Sequence, residues 1–376
     1  VQKERIFFNN SPNPTVGVEV ELFILDSETY ELSPGAPVIL NEFEGNCNIK
    51  EELLNSIIEV NTNICCNISE VRDDLRNRFC EVVKVAESHG FQLMGMGMHP
   101  RARWIDQTIT GKERYLQLVD KLQWPVRRLL ITGVHVHIGV DSGEKAIAIT
   151  NGLTRYIPHM IGLSANTPFE YGELTGLAST RTKLFEIMPT TGIPPEMINY
   201  SQFQKFMRTL IKAKSISSIR EVWWDIRPHP GFGTVEIRAY DCVSSLEEIV
   251  NLAAFTQALV VGLSNHYDNG TQLPNLDRWI NKDNKWRATR YGLDADYIVD
   301  ETGNQQSLKS VILDTIDRIT PVGKELGCKP ELLNLANQIE NDNVPYKRQI
   351  RIFEKTRNLN SVIKNAVATL KESIGY

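Results

Sequence analysis

The chain has 376 residues, 41 Lys and Arg against 46 Asp and Glu, and a formal net charge of -5. That balance excludes the basic excess of a nucleic-acid binder, although local Arg clusters or metal ions still admit anionic substrates. With 41% hydrophobic and 23% charged residues the composition is that of an ordinary globular chain with a sizeable core, and no run approaches the roughly 20 apolar residues of a membrane span.

The polar start, Val1 to Asn13, shows no signal-peptide pattern. In Thr15–Asp26, Val16, Val18, Val20, Leu22 and Ile24 share one face while Glu19, Glu21 and Phe23 take the other, the alternation of a half-buried strand. Ile57–Asn61 repeats it, with Ile58 and Val60 against Glu59. Ser69–Glu87 carries Val71, Leu75, Phe79, Val82 and Ala86 at helical spacing and is ended by Gly90. Phe91–Met98 and Glu221–Arg227 are less regular strand candidates. Gly133–Val140 sets Val134, Val136, Ile138 and Val140 against His135 and His137, and Pro189–Pro195 reads as a loop. Ser201 with Gln204 is a capping-box signature ahead of Phe206, Met207, Leu210 and Ile211. In Gly233–Asp241, Val235, Ile237 and Ala239 oppose Glu236, Arg238 and Tyr240. Ser244 with Glu247, or Ser245 with Glu248, opens a helix running to about His266. From Ser307 on the pattern is helical, and its last long element puts Ile350, Phe353, Ile363, Ala366, Val367, Leu370 and Ile374 on one stripe.

Strands with one apolar face predict an α+β fold: a largely antiparallel sheet with helices packed on that face and a polar floor on the other. No linker, repeat or low-complexity tract divides the chain, so a single domain over 1–376 is expected, with a helical portion from about 305. The six cysteines show no Cys-x-x-Cys spacing and read as reduced thiols, which implies a cytoplasmic location.

The polar floor collects Glu19, Glu21, Glu59, His135, His137, Glu236 and Arg238, and Glu52 can join from the preceding loop. Residues i and i+2 of a strand point into one volume, and carboxylates gathered there stay partly protonated unless a cation is present. Oxygen ligands with one or two imidazoles favour Mg²⁺ or Mn²⁺ over zinc, and such ions would attract a nucleoside triphosphate. Singly, a Glu-x-Glu is usually a solvated strand face, a His-x-His is often a satisfied polar pair, and a Glu-x-Arg can be a plain ion pair. Four alternating segments that all carry ligand-type residues on the same kind of face make coincidence the weaker explanation. The chain has neither a phosphate-binding P-loop nor a G-x-G-x-x-G fingerprint, so phosphates would have to rest on metals and on His137, Arg181, Arg227 or Arg238. The lack of a G-x-S-x-G elbow or H-E-x-x-H helix weakens hydrolase readings.

Val16–Asp26 (VGVEVELFILD) resembles the opening strand of the bacterial and plant glutamate–cysteine ligases, including their carboxylate–amine ligase branch. The resemblance continues in order through Gly97–Pro100 (GMHP), Gly133–Val140 (GVHVHIGV), Leu163–Arg181 (LSANTPFEYGELTGLASTR) and Trp224–Asp241 (WDIRPHPGFGTVEIRAYD), and covers about Gly17 to Tyr291. It implies a fold like the catalytic domain of glutamine synthetase, a curved, largely antiparallel sheet with ATP and Mg²⁺ (or Mn²⁺) on its concave face. It implies Glu19, Glu21, Glu52, Glu59, His135 and Glu236 as metal ligands, and His137, Arg227 and Arg238 as contacts to ATP. Glu236, Arg238 and Arg181 would serve catalysis, Arg238 at the transferred phosphoryl group or the substrate carboxylate and Arg181 as an anion-binding group.

The implied reaction is carboxylate activation: the γ-carboxylate of glutamate attacks the γ-phosphate of ATP, and an amine, cysteine in the type reaction, displaces phosphate from the acyl phosphate. Such a ligase takes the first step of thiol biosynthesis and needs only small-molecule partners, with no membrane or nucleic acid; a homo-oligomer stays open. Where many relatives have Phe after GMHP this chain has Arg101, followed by Arg103, so the amine stays open too. The alternatives are the same chemistry with another acid or amine, an ATP-binding sensor without turnover, and a phosphoester hydrolase.

Overall fold

The structure, a computed structural model, describes residues 6–376, so part of the polar start lies outside the described residues. Its main sheet is built from β1 (Val16–Asp26), β2 (Ile49–Glu51), β3 (Ile57–Asn61), β4 (Phe91–Met94), β5 (Gly133–Gly139), β6 (Ile226–His229) and β7 (Thr234–Asp241). The spatial order is β6–β7–β5–β1–β3–β2, and β4 pairs with the C-terminal end of β1. Every pairing in this sheet is antiparallel, as the one-sided alternation predicts.

The apolar face buries Val16, Val18, Val20, Leu22 and Ile24 of β1 with Val134, Val136, Ile138, Val235 and Ile237. Two helices cover it, Ile68–Ser88 and Leu246–Asp268. The second is apolar enough by composition to cross a membrane, with a mean hydropathy of 1.4 over its best window, but 83% of that window is buried inside the molecule. An all-round apolar helix is what the centre of a large core requires. The same core cluster reaches Leu370 and Ile374 in the last helix.

Several expected boundaries moved because a different side chain competes for the cap. Asn67 caps the Ile68–Ser88 helix by accepting from Glu70 N–H. Asn199, not Ser201, caps the Tyr200–Lys212 helix, accepting from Gln202 N–H. Ser245 holds the N-cap position of Leu246–Asp268 without a side-chain cap bond; Ser373 Oγ accepts from Leu246 N–H instead, and Ser244 Oγ donates to Gly95 O. The last long element is two helices, Pro345–Thr356 and Leu359–Ile374, broken where Arg357 turns left-handed at φ 51° and Asn358 caps the second. Within the Pro189–Pro195 loop, Thr191–Gly192 pairs with Trp223–Trp224.

The opposite face is polar over only part of its area. Beyond Glu21, the side chains of Phe23 and Leu25 join Ile57, Met94, Tyr115, Val126 and Leu130, with Val362, Ile363, Ala366 and Val367 of the last helix, in a second apolar cluster. That cluster walls one end of the floor, so the polar groups are confined to a short stretch of β1, β3, β5 and β7. All six cysteines are free thiols; Cys65, Cys242 and Cys328 are buried, and burial pushes the Cys65 thiol up to about 11, which leaves it inert.

Candidate active site

The strand register assembles the floor in rows. Glu21 lies opposite Glu59; Glu19 lies between Asn61 on β3 and His135 on β5; His137 lies between Gly17 on β1 and Glu236 on β7, which in turn faces Arg227 on β6. Two triads of ligand-type atoms result, Glu19 with His137 and Glu236, and Glu21 with Glu52 and Glu59, each closing to within 4.8 Å. His135 stands between them, Nδ1 3.3 Å from Glu19 Oε2 and Nε2 4.0 Å from Glu21 Oε1. The resemblance implies His135 among the metal ligands and His137 among the contacts to ATP; the strand register sets His137 opposite Glu236, within reach of Glu19 as well.

The two carboxylates of the first triad are held ionised. Burial works against the Glu19 charge, but His135 and His137 outweigh it and hold the carboxyl well below its ordinary range. Burial opposes the fully buried Glu236 as well, and Arg227, Arg238 and His137 likewise hold it below its ordinary range. Burial lowers the His137 imidazole, yet Glu236 and Glu19 raise it on balance. Burial and the neighbouring Arg238 instead bring His135 down to about 4, which keeps it neutral.

The second triad is strained by like charge. Burial pushes Glu21 up to about 7, Arg181 pulling it back and Glu59 adding to the rise. Burial, then Glu59 and Glu21, raises Glu52 well above its usual value, and burial with Glu19 raises Glu59. Glu21 therefore binds a proton in the folded chain between its ordinary 4.5 and about 7, where the unfolded chain has lost it. Stability falls with rising pH wherever the folded state binds more protons. The melting temperature of the metal-free protein is thus expected to drop between pH 4.5 and about 7, and added Mg²⁺ should raise it more at pH 8 than at pH 5. Differential scanning calorimetry with and without the ion checks both statements.

These residues fit a hard divalent cation. The His137 ring is oriented by Thr234 Oγ1, 3.1 Å from Nδ1, which leaves Nε2 buried with no hydrogen-bond partner among the described residues. That nitrogen lies 3.6 Å from Glu19 Oε1 and 3.9 Å from Glu236 Oε1, a donor set aimed at one point. The second triad offers oxygen only, the preference of Mg²⁺ and Mn²⁺.

The arginines divide into two kinds. Arg227 spends its donors inside the protein: Nε and a terminal nitrogen on Glu236 Oε2 at 2.7 and 2.6 Å, the other terminal nitrogen on the carbonyls of Ile219 and Val222. In this arrangement Arg227 holds Glu236 in position. Arg238 gives one nitrogen to Glu236 Oε1 at 2.5 Å and keeps a buried Nε without a partner among the described residues. Arg181 has an unpartnered Nε as well, and lies 3.8 Å from Asp241.

Some groups of the site escaped the sequence reading. Asp241 accepts from Asn166 N–H, Thr167 Oγ1 and Ser179 Oγ at 2.8–2.9 Å, which ties the segment carrying Arg181 to the end of β7. Asn61 Nδ2 donates to Glu59 Oε1 at 2.7 Å while its Oδ1 is buried and unpartnered. Asn61 and Thr234 share alternation faces with Glu59 and Glu236, so the pattern could have found them; Asp241 needed the tertiary contact. Arg101 is tied to Glu31 at 2.9 Å and to Thr29 O, and Arg103 lies near Asp106 on the surface, so neither cation is held against the floor.

Residues 15–368 match the profile of glutamate–cysteine ligase family 2. A provisionally named glutamate–cysteine ligase 2 of Thermobifida fusca (strain YX) is 40% identical over 95% of this chain and 91% of its own length. A counterpart from Frankia alni is 40% identical over 98% and 97%. Among solved structures, the glutamate–cysteine ligase of Francisella tularensis in complex with AMP superimposes with a TM-score of 0.73 at 12% identity, covering 98% of this chain and 94% of the other. A bifunctional glutathione synthetase from Pasteurella multocida gives 0.69 at 13% identity over 96% of this chain and 53% of that one, a likeness of fold alone. The sheet with its one-sided floor is that of an ATP-dependent carbon–nitrogen ligase. The chain belongs to glutamate–cysteine ligase family 2.

Proposed function

We propose that the chain joins the γ-carboxylate of glutamate to an amine at the expense of ATP, with cysteine the first acceptor to consider. The observation that carries this reading is the pair of carboxylate-rich triads on one floor, bordered by two arginines whose Nε atoms are buried and unpartnered. Two polyanions must meet there, and anionic nucleophile and triphosphate repel unless cations stand between them. The relatives provisionally named glutamate–cysteine ligase 2 support the choice of acid and amine.

Glu19, His137 and Glu236 would hold one Mg²⁺ and Glu21, Glu52 and Glu59 another. When bound, such ions neutralise phosphate charge and orient the triphosphate for in-line attack. The other groups have work of their own. Thr234 and Arg227 hold His137 and Glu236 in place. Arg238, anchored on Glu236, places positive charge where the phosphoryl group passes to the carboxylate. Arg181, anchored near Asp241, binds an anionic group of the acid substrate. The carboxylate oxygen attacks the γ-phosphorus, ADP leaves, and the amine nitrogen then displaces phosphate from the acyl phosphate, losing its proton as the amide forms. No cysteine takes part. The core that runs from β1 to Ile374 supports the chain working as one catalytic unit.

The test is incubation with ATP, Mg²⁺, glutamate and a panel of amines, read by phosphate release and by mass spectrometry of the amide. Amine-dependent phosphate release with γ-glutamylcysteine as product is expected. Turnover with another amine alone would replace cysteine as the acceptor; bound ATP with no ADP formed across the panel would overturn the ligase reading.

A further inference from the structure

We propose that Phe232, at the tip of the turn joining β6 to β7, is the platform on which the purine of the nucleotide stacks; this rests on the ATP-dependent reading above. Phe232 is 58% exposed, a large apolar ring held out at the edge of a charged floor. One face of the ring lies on His229, with centroids 4.1 Å apart and planes 13° from parallel. The ring also meets His137 edge-on at 5.7 Å. A single aromatic step therefore separates the exposed ring from the imidazole of the first triad, where the phosphates belong.

The tip is rigid, unlike an ordinary exposed turn. Asn9 N–H donates to Pro230 O at 2.9 Å and Asn9 Nδ2 to Gly231 O at 2.7 Å, so the N-terminal segment clamps it. Phe232 N–H donates to His229 Nδ1 at 3.3 Å. Gly233 has φ +69°, and a Cβ there would lie 1.6 Å from Asn9 O, so only glycine lets the clamp close. A ring fixed in orientation with exposed area left over loses little entropy when a flat ligand covers it. If Phe232 served the turn alone, the His229 stack would satisfy it and its exposed area would have no use. Stacking tolerates any base, so this platform contributes affinity for the nucleoside part without demanding adenine.

The experiment uses the whole chain with Mg²⁺ and measures binding of ATP and of inorganic tripolyphosphate by calorimetry, for wild type, Phe232→Ala, Phe232→Leu and Phe232→Trp. The wild type should bind ATP more tightly than tripolyphosphate. Phe232→Ala and Phe232→Leu should lose ATP affinity by at least about 5-fold, leave tripolyphosphate affinity nearly unchanged, and Phe232→Trp should restore ATP. Phe232→Leu keeps the assay meaningful should Phe232→Ala not fold. Unchanged ATP affinity, or ATP and tripolyphosphate weakening together, overturns the platform, since the latter is what a merely structural support of His137 predicts. A wild type that binds neither ligand overturns the ATP-dependent reading itself, and the platform with it.

Discussion

Glu236→Gln is expected to cost both the reaction and the fold. The carboxylate has no solvent exposure; it receives two nitrogens of Arg227, one of Arg238, and faces His137 Nε2 at 3.9 Å. An amide of the same shape cannot compensate two buried guanidinium charges, and breaking a buried ionic network by removing one member costs about 3–5 kcal/mol. Urea unfolding should show a loss of that order. The ligase rate should fall by at least about 1000-fold, since a preorganised charge next to the transferring phosphoryl group is lost along with Arg238's anchor. Glu236→Asp, with the charge kept on a shorter arm, should recover most of the stability and little of the rate. A Glu236→Gln protein that remains as stable and as active as the wild type would place the reaction elsewhere.

Glu59→Gln should separate the two effects. The Glu59 carboxyl is raised by burial and by Glu19, so without a cation its charge is a burden on the folded state. Gln keeps an oxygen for Asn61 Nδ2, which lies 2.7 Å from Glu59 Oε1, and gives up the loose pair to Lys50 at 3.6 Å. The metal-free variant should thus melt at the same temperature as the wild type or higher near pH 7. Its stabilisation by Mg²⁺ should shrink, and its rate should drop by at least about 100-fold. A variant that melts earlier without metal, or that gains as much from Mg²⁺ as the wild type does, would mean that Glu21, Glu52 and Glu59 are not a cation site.

Glu236 and Glu59 were both legible in the sequence, and for one reason. Each sits on a strand whose other face is apolar, so period-two alternation exposes the odd carboxylate at once. The same reasoning predicted β1, β3, β5 and β7 nearly to the residue. Where it failed, more than one side chain could satisfy the same backbone donors. Asn199 took the cap expected of Ser201, the helix expected from Ser69 starts at Ile68 behind an Asn67 cap, and a left-handed Arg357 split a stripe that reads as one helix. Periodicity cannot see a break of one residue when the apolar phase is recovered beyond it.

Roles within the floor were less legible than membership. His135 and His137 are equivalent in the alternation, yet one is neutral between two carboxylates while the other is turned by Thr234 toward Glu19 and Glu236. Arg227 and Arg238 are likewise both arginines on floor strands, but only the first has a terminal nitrogen donating to backbone carbonyls. Phe23 and Leu25, two steps along from Glu19 and Glu21, share their face but lie under a second apolar cluster supplied partly by the last helix.

The amino-acid sequence by itself determined the antiparallel sheet, its polar face, and the residue types gathered there, because these depend on alternation along a single strand. The tertiary structure alone decided which histidine joins which carboxylates, which arginine is spent on support, where the floor ends and that Phe232 stands exposed at its rim. Those depend on register and on contacts between strands and helices distant in sequence, and no local period encodes them.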